Sequence, residues 1–247
     1  NVSARMNDVF IKLFVEEREM TVMLLVDMSA SGLFGSQQQT KREIAAEMAA
    51  VVAFSAIKNN DRVGLIISTD HVEKFVPAKK GKKHVLRVIT EILNYQPQSR
   101  LTDLNAPLEF LGRVAKRRSV AFLLSDFLPP VTDAVRGRKD RLALEHALRV
   151  VVRKHDLIPV VINDPLDETL PSLGLINLSD LETGETLLFD SSGPEARAYA
   201  TTMRRARELR EQLFRRLKID FINVRSDQPP VPALVEFFKA RERRLRR

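Results

Sequence analysis

Short apolar runs alternate with longer stretches of helical periodicity along most of this chain. Residues 21–26 are apolar at five successive positions and are followed by Asp27, and residues 120–125 and 157–162 have the same character. Continuous apolar runs of this length indicate strands that are buried on both faces. Such strands belong to a parallel sheet that is covered by helices on both sides.

Amphipathic segments predict the covering helices, because apolar residues recur in them at helical spacing. The predicted helices cover residues 41–58, 81–94, 103–117, 140–154, 194–217 and the segment around 234–238. Ser36 or Thr40 is expected to cap the first helix. The repeated order of strand, helix and strand is typical of a parallel sheet with right-handed crossovers.

Further strands are predicted around this core, and alternation along residues 62–69 supports one of them. They are a first strand at 9–15, a hairpin of 62–69 with 72–77, a small hairpin annex of 175–178 with 186–189, and a last strand at 219–224. Pro159 lies inside the strand 157–162 and favours a place near the sheet edge, since proline cannot donate to the ladder.

A chain of 247 residues is long enough to bury a full core, and we expect one α/β domain over 1–247. Its core covers about 20–165, and the annex, a strand and helices follow at 166–247. The absence of cysteine excludes disulfides, a thiolate zinc site and cysteine catalysis, and it fits a cytoplasmic location. No apolar run approaches the roughly 20 residues that span a bilayer. We expect a membrane anchor only if a segment before Asn1 carries one.

The charge balance is basic, with 40 Lys and Arg against 32 Asp and Glu. This excess invites a nucleic-acid interpretation. Acidic residues are interleaved in the basic stretches 204–216 and 241–247, however, and 2 Tyr and 0 Trp leave little for base stacking. A solvated basic face is therefore favoured over a nucleic-acid partner.

Three predicted strands end in a carboxylate, at Asp27, Asp126 and Asp164. Ligands of open α/β sheets bind beyond the carboxyl ends of the strands, where successive crossovers leave in opposite directions. If strand 21–26 leads into one half of the sheet and strand 120–125 into the other, Asp27 and Asp126 face each other there. Asp164 precedes Pro165 and is expected to cap a turn or helix.

The turn after the first buried strand alternates oxygen-bearing and apolar side chains. Asp27, Ser29 and Ser31 can point to one side of it, while Met28 and Ala30 face the protein. Oxygen ligands with little formal charge suit a hard divalent cation, and Mg²⁺ keeps several waters where the protein supplies few ligands. We expect one such ion, Mg²⁺ or alternatively Mn²⁺ or Ca²⁺.

Three separate motifs resemble the metal-ion-dependent adhesion site of von Willebrand factor A domains. They are Asp27-Met28-Ser29-Ala30-Ser31, Thr102 in Leu101-Thr102-Asp103-Leu104, and Asp126 in Leu124-Ser125-Asp126-Phe127. Segments 14–19, 61–65, 116–119 and 232–234 further resemble the bacterial family labelled domain of unknown function 58, over essentially the whole chain. The chain departs from the pattern at 32–34 and 100–101, where relatives often carry Met and Gly.

The resemblance implies a Rossmann-like von Willebrand factor A fold with one ion held by Asp27, Ser29, Ser31, Thr102 and Asp126. In related sites the hydroxyls bind the ion directly or through water, the aspartates act mostly through water, and a partner's acidic side chain completes the coordination. It also implies genomic pairing with MoxR-type AAA+ ATPases. We therefore expect a metal-dependent protein–protein interaction module that assists assembly or maturation of a client protein.

Basic side chains near the ion would steer an acidic partner electrostatically. The candidates for this role are Lys79, Lys80 and Arg100.

Two enzyme hypotheses are weaker than the binding module. A haloacid-dehalogenase-like phosphatase needs an acid two residues after Asp27, where this chain has Ser29. A serine nucleophile needs an oriented base, and none of the four histidines follows a strand end; they are His71, His84, His146 and His155. Since no glycine-rich phosphate loop occurs, nucleotide binding is also disfavoured. The phosphatase and a basic nucleic-acid-binding protein remain the alternatives.

Overall fold

The computed structural model describes residues 19–128 and 134–245. The predicted strand at 9–15 lies outside these residues. Eight strands are seen in them, β1 Thr21–Asp27, β2 Arg62–Ser68, β3 Val72–Lys79, β4 Val120–Ser125, β5 Asp156–Asn163, β6 Leu175–Ser179, β7 Thr186–Asp190 and β8 Ile222–Arg225. The helices are α1 Lys41–Lys58, α2 Lys82–Asn94, α3 Asn105–Val114, α4 Ala134–Val152, α5 Pro165–Glu168, α6 Pro194–Arg216 and α7 Pro230–Leu245, with a 3₁₀ turn at Ala30–Leu33.

The central sheet has six strands in the order β3-β2-β1-β4-β5-β8. All neighbours are parallel except β2 and β3, which form the predicted antiparallel hairpin. The order changes direction at β1, because the chain passes from β1 to β2 on one side and later to β4 on the other. The sequence prediction of a mostly parallel sheet with a switch point after β1 is thus confirmed.

Helices cover both faces of this sheet, as the continuous apolar strands predict. Val22 and Leu24 of β1 lie in a buried cluster with residues of α1, α2 and α7. Met23 and Leu25 lie in a second cluster on the opposite face, with residues of α3, α4 and α6. Both faces of β1 are apolar, so both must be buried away from water. This burial places β1 at the centre of the domain.

Local sequence signals account for several element boundaries. Thr40, not Ser36, caps α1, where its hydroxyl accepts a hydrogen bond from the Glu43 amide and the Glu43 carboxylate accepts one from the Thr40 amide. Gly64 in β2 cannot be replaced without movement, since a Cβ there would lie 2.7 Å from Sδ of Met23. No helix within the described ranges is both long and apolar enough to cross a membrane.

β5 lies next to the edge strand β8, as the position of Pro159 predicts; β8 pairs with β5 from Val160 onward, so Pro159 itself borders β4 alone. Three other sequence predictions need correction. α3 is shorter than predicted because Ala115 adopts an extended conformation. α4 begins at Ala134, earlier than predicted, and β8 begins at Ile222, later than predicted.

The annex is a two-stranded antiparallel sheet of β6 and β7, as predicted. Buried Ser191 closes its base, because the Ser191 amide and hydroxyl both donate to the Gly174 carbonyl on the opposite arm, at 2.9 and 2.8 Å. Buried Phe189 of β7 packs edge-on against Tyr199 of α6, with ring centroids 6.4 Å apart. Because an isolated hairpin is marginally stable in water, these contacts at the base determine its position.

Asp164 caps the short helix α5, as predicted, and its carboxylate also binds two other segments of the chain. Its carboxylate accepts hydrogen bonds from the Leu166 amide, from the amide and hydroxyl of Ser36, and from the Ser226 hydroxyl, all at 2.6–2.9 Å. Burial alone would raise the pKa of Asp164, but these donors lower it. One buried carboxylate therefore joins the loop after β1 to the ends of β5 and β8.

Replacing Asp164 by Ala leaves several buried donors without an acceptor, so we expect the free energy of unfolding to fall by about 3–5 kcal/mol. Urea denaturation measures this loss. Asp227→Ala is the matched control, because exposed Asp227 pairs with Arg225 alone among the described residues and its loss should cost far less. Equal losses in the two variants would contradict the assigned role of Asp164.

Candidate metal site

The carboxyl ends of β1 and β4 lie side by side at the centre of the sheet. Val26 and Leu124 are register partners, so Asp27 and Asp126 follow at neighbouring positions at the same edge. Both carboxylates are buried, and so is Ser29. The predicted meeting of Asp27 and Asp126 therefore occurs in the folded chain.

The loop after β1 folds back on Asp27. One carboxylate oxygen of Asp27 accepts a hydrogen bond from the Ser29 amide at 3.0 Å, and the other accepts one from the Ser125 hydroxyl at 2.8 Å. The hydroxyl oxygens of Ser29 and Ser31 lie 3.1 Å apart. Neutral donors thus hold Asp27 in place, and the two serine hydroxyls meet beside it.

Thr102 lies on the loop before α3, and two backbone contacts hold this loop against the sheet. The Ala30 amide donates to the Arg100 carbonyl at 2.9 Å, and the Asp103 amide donates to the Thr69 carbonyl at 3.0 Å. The Thr102 hydroxyl donates to a carboxylate oxygen of Glu182 at 2.6 Å. Thr102 thereby lies beside the serine loop, which is the loop after β1 that carries Ser29 and Ser31. The annex contacts Thr102 through Glu182.

Asp126 is paired with cations, unlike Asp27. Its Oδ2 lies 3.1 Å from the ammonium of Lys41, the first residue of α1, and this buried ammonium also contacts Asp167 at 2.8 Å. The Arg210 guanidinium of α6 donates to the Asp126 carbonyl at 3.1 Å and to the Asn163 side chain at 3.2 Å. Helices from both faces of the sheet therefore converge on one residue, α1 on its carboxylate and α6 on its carbonyl.

The backbone turns sharply directly after Asp126. Phe127 has a φ of 52°, in the left-handed region that a bulky side chain rarely adopts. The conformation is held by its amide, which donates to the Ser125 hydroxyl at 3.0 Å, and by its ring, which packs edge-on against Phe214. Local strain of this kind is common at functional sites.

The site is acidic, and burial makes its charges costly. Burial, with the nearby charge of Asp126, raises the pKa of Asp27 to about 6. Burial also raises the pKa of Glu182, and the neighbouring acids Asp126, Asp180 and Asp70 add to this. For Lys41 burial alone would lower the pKa, but Asp126 and Asp167 outweigh it and keep the ammonium charged.

The donor set fits a small hard cation. Adjacent ligands of an octahedral ion at about 2.1 Å are about 3 Å apart, and the Ser29 and Ser31 hydroxyls are separated by 3.1 Å. Among the residues described, no three His, Cys, Asp or Glu side chains are grouped so that they alone could hold a metal. An ion at this place would therefore rely on the hydroxyls, with Asp27 and Asp126 acting through water, which lets Asp126 keep Lys41.

The structure brings the five predicted site residues to one edge of the sheet but leaves metal binding itself a prediction. Two predicted steering residues are misplaced. Lys79 pairs with Val63 at the start of β2, roughly 16 Å from its carboxyl end. Lys80, which follows it, is paired with Glu19. Only Arg100 lies on a site loop, because β3 runs antiparallel to β2 and carries its end away from the site.

The histidines do not form a catalytic pair with the serines. Among described residues, neither Ser29 nor Ser31 makes a hydrogen bond to histidine. His71 pairs with Asp70, His84 contacts the Val63 carbonyl and His155 contacts Ser119, while His146 is exposed.

Five further residues complete the site and are not predicted from the sequence. They are Lys41, Ser125, Asp167, Glu182 and Arg210. Ser125 could have been suspected, because it precedes Asp126 in the strand-end motif. The other four stand among ordinary helix and turn residues, so no local pattern distinguishes them.

The order of the six-stranded sheet and the strand-end site define a von Willebrand factor A-like fold. Two solved structures agree with this over most of the chain. An aerotolerance-related membrane protein from Bacteroides fragilis has a TM-score of 0.55 and 14% identity, covering 89% of this chain and 99% of its own. Protein BatB from Bacteroides thetaiotaomicron has a TM-score of 0.53 and 12% identity, covering 90% and 98%.

The chain belongs to the family described as protein of unknown function DUF58, whose family model matches residues 1–209. A relative is the uncharacterized protein Rv1480 of Mycobacterium tuberculosis. It is 29% identical over 248 residues, which cover 98% of this chain and 74% of that protein. The predicted family and fold are thus confirmed.

The raised pKa of Asp27 predicts a pH-dependent stability of the metal-free protein. A carboxyl whose pKa rises from 3.8 to about 6 on folding stabilises the fold at low pH and loses this contribution as pH rises through 6. In EDTA, Asp27→Asn should therefore raise the free energy of unfolding at pH 8 by up to about 3 kcal/mol and change it little at pH 4. Thermal or urea unfolding of both proteins at the two pH values measures the difference; a gain of equal size at both would contradict it.

Proposed function

We propose that this protein is a metal-ion-dependent protein–protein interaction module. Asp27, Ser29, Ser31, Thr102 and Asp126 would hold one divalent ion, Mg²⁺ or alternatively Mn²⁺ or Ca²⁺. The ion would supply an open position for an acidic side chain of a partner protein. The observation that carries the proposal is the pair of serine hydroxyls, 3.1 Å apart and beside a buried carboxylate whose donors among the described residues are neutral.

Charge supports a cation at this place rather than a purely structural network. Lys41 lies between Asp126 and Asp167 and so balances part of the buried negative charge. Asp27 has no ion pair among the described residues, and its raised pKa indicates an ionised form that lacks compensation. A divalent ion would compensate the charge of ionised Asp27. The metal-free site therefore lowers the stability of the fold but favours binding of a cation.

A binding role is supported over catalysis by what surrounds the serines. Ser29 stands where a phosphatase would need its general acid, and the histidine contacts of the described chain lie elsewhere. The basic helix α6 also carries acidic residues that pair with its arginines; Glu211, for example, pairs with Arg207 and Arg215. This favours a solvated surface over a nucleic-acid interface, and we propose no enzyme activity and no nucleic-acid partner.

The proposed partner is a MoxR-type AAA+ ATPase, acting with this protein in assembly or maturation of a client. This part rests on the family resemblance alone. The absence of cysteine fits a cytoplasmic place of action, which we propose for the described domain.

The metal proposal predicts that Mg²⁺ stabilises the protein progressively. At a concentration 100 times the Kd the gain is ~2.7 kcal/mol, or roughly 5–10 °C in Tm for a domain of this size. Ser29→Ala and Thr102→Ala should each abolish the shift. Differential scanning calorimetry with 0–10 mM Mg²⁺, a range of about 0–100 times a typical weak Kd, measures it.

Ser68→Ala is the matched control for this experiment. Ser68 is buried at the carboxyl end of β2, in register with Asp27, but lies outside the proposed ligand set. It should keep the full shift. An unmodified protein with no response to Mg²⁺ would reject the metal proposal, and an unchanged response in Ser29→Ala would reject the ligand set.

The partner proposal predicts binding that requires the ion and is steered by Arg100. Affinity for the MoxR-type ATPase of the same organism should fall at least about tenfold in EDTA and should weaken with salt. Arg100→Gln should slow association, whereas Lys79→Gln at the far end of the sheet should not. Surface plasmon resonance with and without EDTA, at low and high salt, separates these effects.

The competing docking surface is the basic C-terminal segment. There Arg241 is paired with Asp156 and Asp220, and Arg244 with Asp220. If EDTA leaves the partner affinity unchanged but salt weakens it, the partner binds at this or another basic surface and not at the ion.

A further inference from the structure

The turn between β6 and β7 points one acidic side chain at the candidate metal site. Leu181, Thr183, Gly184 and Glu185 are exposed, whereas Glu182 is half-buried. The Glu182 carboxylate accepts the Thr102 hydroxyl at 2.6 Å. The hairpin therefore brings a carboxylate to a predicted metal ligand.

The local structure of the turn fixes the direction of Glu182. The Asp180 side chain accepts the Glu182 amide at 2.8 Å, and the Asp180 carbonyl accepts the Gly184 amide at 2.8 Å. Gly184 has a φ of 77°, which suits glycine at this position. These bonds fix the backbone that carries Glu182, and the Thr102 contact fixes its side chain.

The charges around Glu182 do not explain its position. Its acidic neighbours Asp126, Asp180 and Asp70 all disfavour a further carboxylate, and the described residues give Glu182 no ion pair with Lys, Arg or His. Its single side-chain hydrogen-bond partner among them is Thr102. A carboxylate placed among carboxylates and beside a hydroxyl ligand is the arrangement that a cation would stabilise.

We propose that Glu182 is an internal acidic ligand, which takes the open position on the ion that Thr102 and the two serines help to hold. This inference rests on the proposed metal site. An acidic partner would then have to displace the hairpin, so the annex would act as an intramolecular competitor. Tethering gives such a competitor an effective concentration in the millimolar range.

The hairpin is suited to displacement. It is a two-stranded sheet that packs on α6 near its base through Phe189 and Tyr199, while Leu187 and Leu188 are exposed near the middle of β7. A hairpin of this size adds little stability of its own, so releasing its tip costs less than opening the central sheet.

Mn²⁺ is the probe for this proposal, because water bound to it enhances proton relaxation. The proteins are the unmodified chain, Glu182→Gln, Glu182→Asp and the matched control Glu185→Gln, whose residue lies exposed on the same turn. Glu182→Gln removes the charge but not the size, and Glu182→Asp keeps the charge but shortens the reach. Mn²⁺ titration and water-proton relaxivity are measured for each.

Loss of an internal ligand should weaken Mn²⁺ binding about tenfold in both Glu182 variants. It should also raise the relaxivity per bound ion, because water takes the vacated position. Glu185→Gln should match the unmodified protein in both measurements. Relaxivity separates direct ligation from a mere loss of nearby charge.

Two outcomes overturn the inference and are distinguishable. If all four proteins bind Mn²⁺ with equal affinity and relaxivity, Glu182 is not a ligand, while the proposed metal site stands. If the unmodified protein binds no Mn²⁺, the metal site fails and this inference fails with it.

Discussion

Two carboxylates lie buried side by side at the ends of neighbouring parallel strands. Much of the surrounding structure compensates the electrostatic repulsion between them. Asp27 and Asp126 cannot move apart, because the β1–β4 register fixes them. The fold supplies neutral donors to Asp27 and cationic donors to Asp126. Desolvated like charges destabilise a fold unless they are compensated, so this pair constrains every element that touches it.

The compensation is distributed unevenly, and the imbalance locates the site. α1 brings Lys41 from one face of the sheet and α6 brings Arg210 from the other, and both meet Asp126. No cation of the described chain reaches Asp27, and burial, with the nearby charge of Asp126, raises its pKa. The uncompensated charge lies beside the serine hydroxyls, where an added cation would gain most.

The C-terminal third of the chain completes the site, although the strand-end motifs lie between Asp27 and Phe127. α6 contributes Arg210, the loop after β5 contributes Asp167, and the β6–β7 hairpin contributes Glu182. A single carboxylate, Asp164, connects this region to the serine loop through Ser36. Contacts between the two parts of the chain therefore hold the loops of the site as well as its charges.

Local sequence signals account for the main elements and the strand ends. Apolar runs predict β1, β4 and β5, and a cap at Ser36 or Thr40 predicts the start of α1, because burial and capping depend on residues close together in the chain. The same runs placed Asp27 and Asp126 at one edge, since parallel strands share a direction. Side-chain alternation after β1 put Ser29 and Ser31 together, which the 3.1 Å contact bears out.

The distant residues that complete the site are set by how the elements pack. Lys41 meets Asp126 from 85 positions away and Thr102 meets Glu182 across 80, and neither pair leaves a local signal in the sequence. The same limit explains why Lys79 and Lys80 were assigned to the wrong end of the sheet. The direction of β3 relative to β2 decides which end a residue occupies, and a charge pattern along the chain carries no information about that direction. Sequence periodicity reports which face of an element is buried, whereas the partner across the fold is set by how the elements pack.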